Sequence, residues 1–294
     1  MTLPSTEQLH PDAEHLAQGD LAIAARALAE GQIAAAAVVR DALGCIAQGA
    51  AAMAETIRSE GVLHYVAAGS SGLMAAADAQ ELGGTFSIPP ARLRIHMAGG
   101  LPTGVEMPGD SEDATEGLKQ ALSAIEAKDT VIAVSASGST PYTLAAVNIA
   151  RAQGATVIGI ANNADSPLLL EADIPILLAT PPELISGSTR MGAGTAQKIA
   201  LNMLSSLMAV ELGHVHRGMM VNLRADNHKL RARATGIVAR IAEVDDATAQ
   251  QALETAHGDV KPAILIAAKA LSLDEAHARL RAANGLLNAA LARD

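Results

Sequence analysis

The chain has 294 residues, and 21 Lys and Arg against 31 Asp and Glu leave a formal net charge of −10, which weighs against a surface built to grip a polyanion. Tyr65, Phe86 and Tyr142 are its only aromatic residues, so no platform for stacking nucleic-acid bases can be assembled. Half the residues are hydrophobic and 18% are charged, a globular composition that suits one large domain with a smaller companion.

The first twenty residues carry acids and lack the basic start and apolar run of a secretory signal. Cys45 is the sole cysteine, so neither an intramolecular disulfide nor a thiolate zinc cluster can form, and a cytoplasmic setting is expected. Leu21 to Ser59 is Ala-rich, free of Pro, and reads as two helices broken near Gly31 or Gly44. Five strand-length apolar runs follow: VLHYVAA (62–68), RLRIHMA (92–98), TVIAVSA (130–136), TVIGIA (156–161) and IPILLA (174–179). Helices are expected between them at 71–82, 113–127, 141–153 and 189–212. The alternation predicts an α/β fold with a mostly parallel sheet covered on both faces. The uncharged stretch Thr130 to Ala150 reaches membrane-spanning length, but Ser135, Gly138 and Pro141 make it a strand, a turn and a helix. The expected organisation is an N-terminal helical segment (1–60), an α/β domain (61–213), a connecting helical segment (214–243) and a small helical domain (244–294) with three helical patterns.

In open α/β sheets ligands bind beyond the carboxyl ends of the strands, so the loops after the strands are the places to search. Gly69-Ser70-Ser71-Gly72 follows the first strand, and Ser135-Ala136-Ser137-Gly138-Ser139-Thr140-Pro141 ends the third. Gly permits close backbone approach, hydroxyls donate, and Pro141 suits a first helical turn, where unpaired N–H groups face outward. Ser and Thr also cap helices routinely, and for the first loop this accounts for the sequence as well as anion binding does. Four hydroxyls with a Gly and a Pro exceed what one cap needs, so the second loop points to phosphate. Neither loop has the Lys of a Walker A motif or the spacing of a dinucleotide fold.

Carboxylates supply a second ingredient. Glu81 ends the helix after the first strand, beside Gly83 and Gly84, while Glu112, Asp113 and Glu116 crowd the start of the expected 113–127 helix. Asp113 and Glu116 are explained by the dipole of that helix. Glu81 lies at the wrong end of its own for such a benefit. His214 and His216 have no sensibly spaced third ligand, so no metal is expected.

The segment ISGSTRMGAGTAQKIALNMLSS (185–206) resembles a signature of the N-acetylmuramic acid 6-phosphate etherases of the sugar-isomerase (SIS) superfamily. In the same order stand AAGSSG (67–72), DAQELGGTF (78–86), AGG (98–100), EDATEG (112–117), SASGSTPYT (135–143) and NHKLRARA (227–234). The resemblance implies a flavodoxin-like, doubly wound SIS domain and a cytoplasmic, homodimeric lyase without cofactor, acting in amino-sugar and peptidoglycan recycling. It implies cleavage of the D-lactyl ether of N-acetylmuramic acid 6-phosphate by elimination and hydration. By motif position, Glu81 would be the general acid and Glu112 the base that takes the C2 proton. Ser71, Ser135, Ser137 and Thr140 match phosphate-holding hydroxyls, and Ser70, Gly138 and Ser139 share their loops. Leu73 stands where the family usually has Arg, and Gly192 where Lys is frequent. A sugar-phosphate isomerase would use the same cradle without breaking an ether, and a non-catalytic sugar-phosphate regulator would need neither glutamate.

Overall fold

Residues 21 to 58 fold as two helices, α1 (Leu21–Ala37) and α2 (Leu43–Arg58), in the computed structural model, which describes residues 3–16, 19–107, 111–223 and 228–292. Asp20 caps α1 by accepting from the Ala22 and Ile23 N–H groups. The break is a 3₁₀ turn at Val38–Ala42, just before Gly44. By length and composition Leu21–Arg58 is apolar enough to cross a membrane; α1 buries only Ala35, whereas α2 turns Ile46, Ala50, Met53 and Ala54 into the core.

Strands β1 (Leu63–Ala67), β2 (Leu93–Met97), β3 (Thr130–Ser135), β4 (Thr156–Ala161) and β5 (Ile174–Leu177) form one parallel sheet in the order β2-β1-β3-β4-β5. All five fall inside the runs read from sequence; β1, β3 and β4 are buried almost throughout, as parallel strands covered on both faces require, whereas the edge strands β2 and β5 leave Arg94 and Pro175 exposed. Every residue of β1 and β3 is buried. The order places the switch point between β1 and β3, and the two hydroxyl-rich loops leave those two strands. The fold class is therefore the one expected.

Helices α3 (Gly69–Phe86), α5 (Pro141–Ala152), α6 (Pro167–Glu171) and α7 (Gly192–Glu211) follow β1, β3, β4 and β5. The expected 113–127 helix is corrected: only α4 (Leu118–Ala121) forms there, because Gly117 at φ +76° takes a left-handed turn where helix would have to continue. Asp113 and Glu116 thus lie exposed in turns and complement no helix dipole.

The chain divides into two compact units, residues 1–80 with 91–205 and residues 81–90 with 206–294, the divisions falling within α3 and α7. In the first unit a buried Asp78 on α3 accepts from the Tyr65 hydroxyl of β1 at 2.9 Å, from Asn202 Nδ2 at 2.9 Å and from Ser205 Oγ at 2.8 Å, both on α7. A buried carboxylate met by three donors fixes the rotation of α3, which carries the first loop at its start. At the strand starts, His64 lies 3.4 Å from Asp129 and 3.0 Å from the His96 ring.

In the second unit β6 (Val215–His216) and β7 (Met219–Met220) form an antiparallel ribbon. This corrects the first part of the expected helical connection over 214–243, of which 228–242 is helical: Arg217 and Gly218 both take positive φ, as a two-residue hairpin turn requires. Helices α8 (His228–Ala242), α9 (Asp246–Thr255), α10 (Val260–Lys269), α11 (Leu273–Ala282) and α12 (Leu287–Ala292) complete the unit. Ile237, Val238 and Ile241 of α8 share one core with Leu253, Ile264 and Leu265, so the helical body reaches back before residue 244 and holds more than three helices. Asn227, which opens NHKLRARA, lies outside the described residues.

Burial holds His96, and separately His214, down to about 4, with the charges of His64 and Arg94 adding for His96 and that of Lys261 for His214. An unfolded His titrates near 6.5, so between about 6.5 and 4 the unfolded chain binds more protons. Stability should be full above that window and fall as pH drops through it. Thermal melts from pH 7 to 4 should show this, and His96→Gln with His214→Gln should flatten the slope.

Candidate active site

Ser135, the last residue of β3, starts a hydroxyl network. Its Oγ lies 2.8 Å from Thr140 Oγ1 and 3.3 Å from Ser137 Oγ, and it accepts from the Gly138 N–H at 3.0 Å. Ser139 donates through its N–H and its hydroxyl to Ser137 Oγ, at 3.2 and 3.1 Å. Thr140 is the N-cap residue of α5, yet its side chain makes no cap bond and turns to Ser135 instead. The hydroxyls are therefore organised around the helix start rather than spent on capping it, the arrangement that favours an anion.

Gly138 stands at φ +70°, and a Cβ there would collide with Ser166 Oγ and Cβ. Its carbonyl accepts from the Leu168 N–H of α6 at 3.0 Å, and Asn163 Nδ2 donates to the Ser137 carbonyl at 3.3 Å. Asn163 also bonds Ser5 and Thr6, so the loop is braced by the N-terminal residues. Sequence reading missed Asn163, although an Asn pair directly after β4, at the carboxyl edge of the sheet, was the available signal. Gly138→Ala should cost about 1–3 kcal/mol through the left-handed backbone and the collision with Ser166. It should also weaken sugar-phosphate binding, checked by thermal melts and ligand titration.

The second loop is the start of α3. Gly69 sits at φ +53°, Ser71 is buried and Ser70 partly so. Glu112 reaches this loop from the segment after β2: a Cβ on Gly69 would stand 2.7 Å from Glu112 Oε1. The Glu112 carbonyl accepts from the Tyr142 N–H in the first turn of α5 at 3.0 Å. Glu112 thus bridges the starts of the two helices that border the switch point, with an exposed side chain. Ser135, Ser137, Gly138, Ser139 and Thr140 are joined by hydrogen bonds, Glu112 links the start of α5 to Gly69, and Ser70 and Ser71, next to Gly69, lie in the same first unit.

Glu81 is placed differently. It is an exposed residue near the other end of α3, in the second unit, ten residues beyond Ser71. At ~1.5 Å of rise per residue, about 15 Å of helix separates the two. Among the described residues no group of three His, Cys, Asp or Glu side chains is arranged to hold a metal ion. His216 is buried in the ribbon.

A family model described as SIS domain matches residues 105–210. The N-acetylmuramic acid 6-phosphate etherase of Deinococcus radiodurans is 44% identical over 285 residues, 95% of this chain and 92% of that one. The N-acetylmuramic acid 6-phosphate etherase of Streptomyces coelicolor is 38% identical over 98% of this chain and 93% of its own length. Among solved structures, a ligand-bound Escherichia coli protein matches with a TM-score of 0.53 at 18% identity, over 68% of this chain and 95% of that one, a likeness of fold.

Proposed function

Because the chain belongs to the N-acetylmuramic acid 6-phosphate etherase family of carbon–oxygen lyases, we propose that the hydroxyl cradle at the β1/β3 switch point holds the phosphate of N-acetylmuramic acid 6-phosphate. The observation that carries this reading is Glu112, whose carboxylate lies against Gly69 while its carbonyl caps α5. A phosphate in the cradle leaves the sugar carbons to extend over that carboxylate.

The ring-opened sugar exposes an aldehyde, which acidifies the C2 proton. Glu112 takes that proton, and the C3–O bond to the lactyl group breaks as its oxygen receives a proton from Glu81. The electrons of the C2–H bond become the C2–C3 double bond of an unsaturated aldehyde. Water then adds at C3, its proton passing to the now ionised Glu81, while C2 regains a proton from Glu112. The products are D-lactate and N-acetylglucosamine 6-phosphate, and both glutamates return to their starting states. An ether oxygen leaves poorly unless protonated, and each acid or base is worth ~10²- to 10⁴-fold in rate. The cradle hydroxyls and first-turn N–H groups supply charge-assisted bonds to the phosphate of about 1.5–3 kcal/mol each.

The site is shared between two copies in a cytoplasmic homodimer. Two observations support this. About 15 Å of helix is more than a carboxylate at Glu81 spans to a sugar anchored at Ser71 of the same copy. Independently, α1 and the start of α2 leave Leu21 82%, Ile33 62% and Leu43 50% exposed, apolar surface that a second chain would cover. That surface also accounts for the apolar character of Leu21–Arg58 without a membrane. Purified protein given N-acetylmuramic acid 6-phosphate should release D-lactate stoichiometrically with N-acetylglucosamine 6-phosphate. A sugar-phosphate isomerase or a non-catalytic regulator would release none.

A further inference from the structure

The helical unit contains a cleft of about 340 Å³ whose lining includes Ser87, Asn222, Asp259, Lys261, His277 and Leu280. That volume is at the small end of ligand sites. Lys261 is only 8% exposed, and its Nζ donates to the Gly285 carbonyl at 2.9 Å. One carbonyl takes one of the three ammonium protons. Among the described residues no carboxylate lies within ion-pair distance of this ammonium, and burial lowers it to about 8, which still leaves a cation at neutral pH. A buried cation without a counter-charge is costly, so this one points to an anionic partner from outside the chain.

The surroundings narrow the partner's chemistry. Lys261 lies in the first turn of α10, whose N-cap residue Asp259 makes no side-chain cap bond, so the positive end of the helix faces the same region. Asp259 is exposed and lines the cleft. Its charge opposes a dianion such as phosphate, yet it can accept a hydrogen bond from a neutral hydroxyl. We propose that this cleft binds a small hydroxy-carboxylate, with the carboxylate on Lys261 and the hydroxyl donating to Asp259. Its lining residues belong to the second unit and include none of the cradle residues, and the proposal does not depend on the etherase reading.

The test uses the full chain with D-lactate, propionate and inorganic phosphate as probes, titrated calorimetrically. Wild-type protein should bind D-lactate several-fold more tightly than propionate or phosphate. Lys261→Met should weaken D-lactate about tenfold or more while sugar-phosphate turnover stays within about twofold. Absent D-lactate binding in the wild type, or equal affinity in a folded Lys261→Met variant, overturns the proposal. Should Lys261→Met fail to fold by circular dichroism, Asp259→Asn decides, because that side chain is exposed and caps nothing. It should remove the preference for D-lactate over propionate, and a preference left intact contradicts the assignment.

Discussion

Replacing Glu112 by Gln should lower turnover of N-acetylmuramic acid 6-phosphate by ~10²- to 10⁴-fold and leave the affinity for sugar phosphate within a few-fold of wild type. The separation follows from the geometry. Gln keeps the shape that lies against Gly69, and the main-chain bond from Tyr142 to the residue-112 carbonyl is untouched by the change. The hydroxyls of Ser135, Ser137, Ser139 and Thr140 bond among themselves and to backbone, with none resting on the Glu112 side chain. What disappears is the group that, in the proposed mechanism, accepts the C2 proton. Steady-state kinetics beside a direct titration of N-acetylglucosamine 6-phosphate checks both halves. A variant that loses affinity and turnover together would make Glu112 a structural brace instead of a base.

Glu81→Gln should be as damaging as Glu112→Gln, and mixing the two inactive variants should restore activity. In a two-fold symmetric dimer whose sites take the cradle and Glu112 from one copy and Glu81 from the other, a mixed dimer has one intact site and one doubly defective site. Equal amounts, re-equilibrated, give half mixed dimers and therefore about a quarter of wild-type turnover. Each parent alone stays at its ~10²- to 10⁴-fold deficit. A mixture as inactive as its parents would mean that both carboxylates serve from one copy. The ten-residue interval between Ser71 and Glu81 along α3 makes this the sharper test of how the site is assembled.

The sheet was legible because its physics is local. Each of the five strands lies in a largely apolar run closed by turn residues, and the central β1, β3 and β4 are buried on both faces, which calls for such a run. The two hydroxyl loops could be found for the same reason, since the carboxyl edge of β1 and β3 follows from where those runs end. The 113–127 segment misled because its composition favours helix, while the backbone at Gly117 decides otherwise. The ribbon at β6 and β7 was missed because its turn places Arg217, a residue without turn character, at positive φ. Glu112 carried a weaker signal than its position warrants. Its approach to Gly69 and its carbonyl bond to Tyr142 join segments separated by long stretches of sequence, and no periodicity encodes such contacts. The brace formed by Asn163 with Ser5, Thr6 and the Ser137 carbonyl is hidden in the same way.

In the proposed mechanism C3–O cleavage proceeds by elimination followed by addition of water, on a sugar held by its phosphate between two glutamates. Turnover in ¹⁸O-labelled water, with mass analysis of both products, addresses this directly. Label is expected at C3 of N-acetylglucosamine 6-phosphate and none in D-lactate, because lactate keeps the ether oxygen and water supplies the new hydroxyl. Label in the lactate, or no lactate at all, would contradict this mechanism.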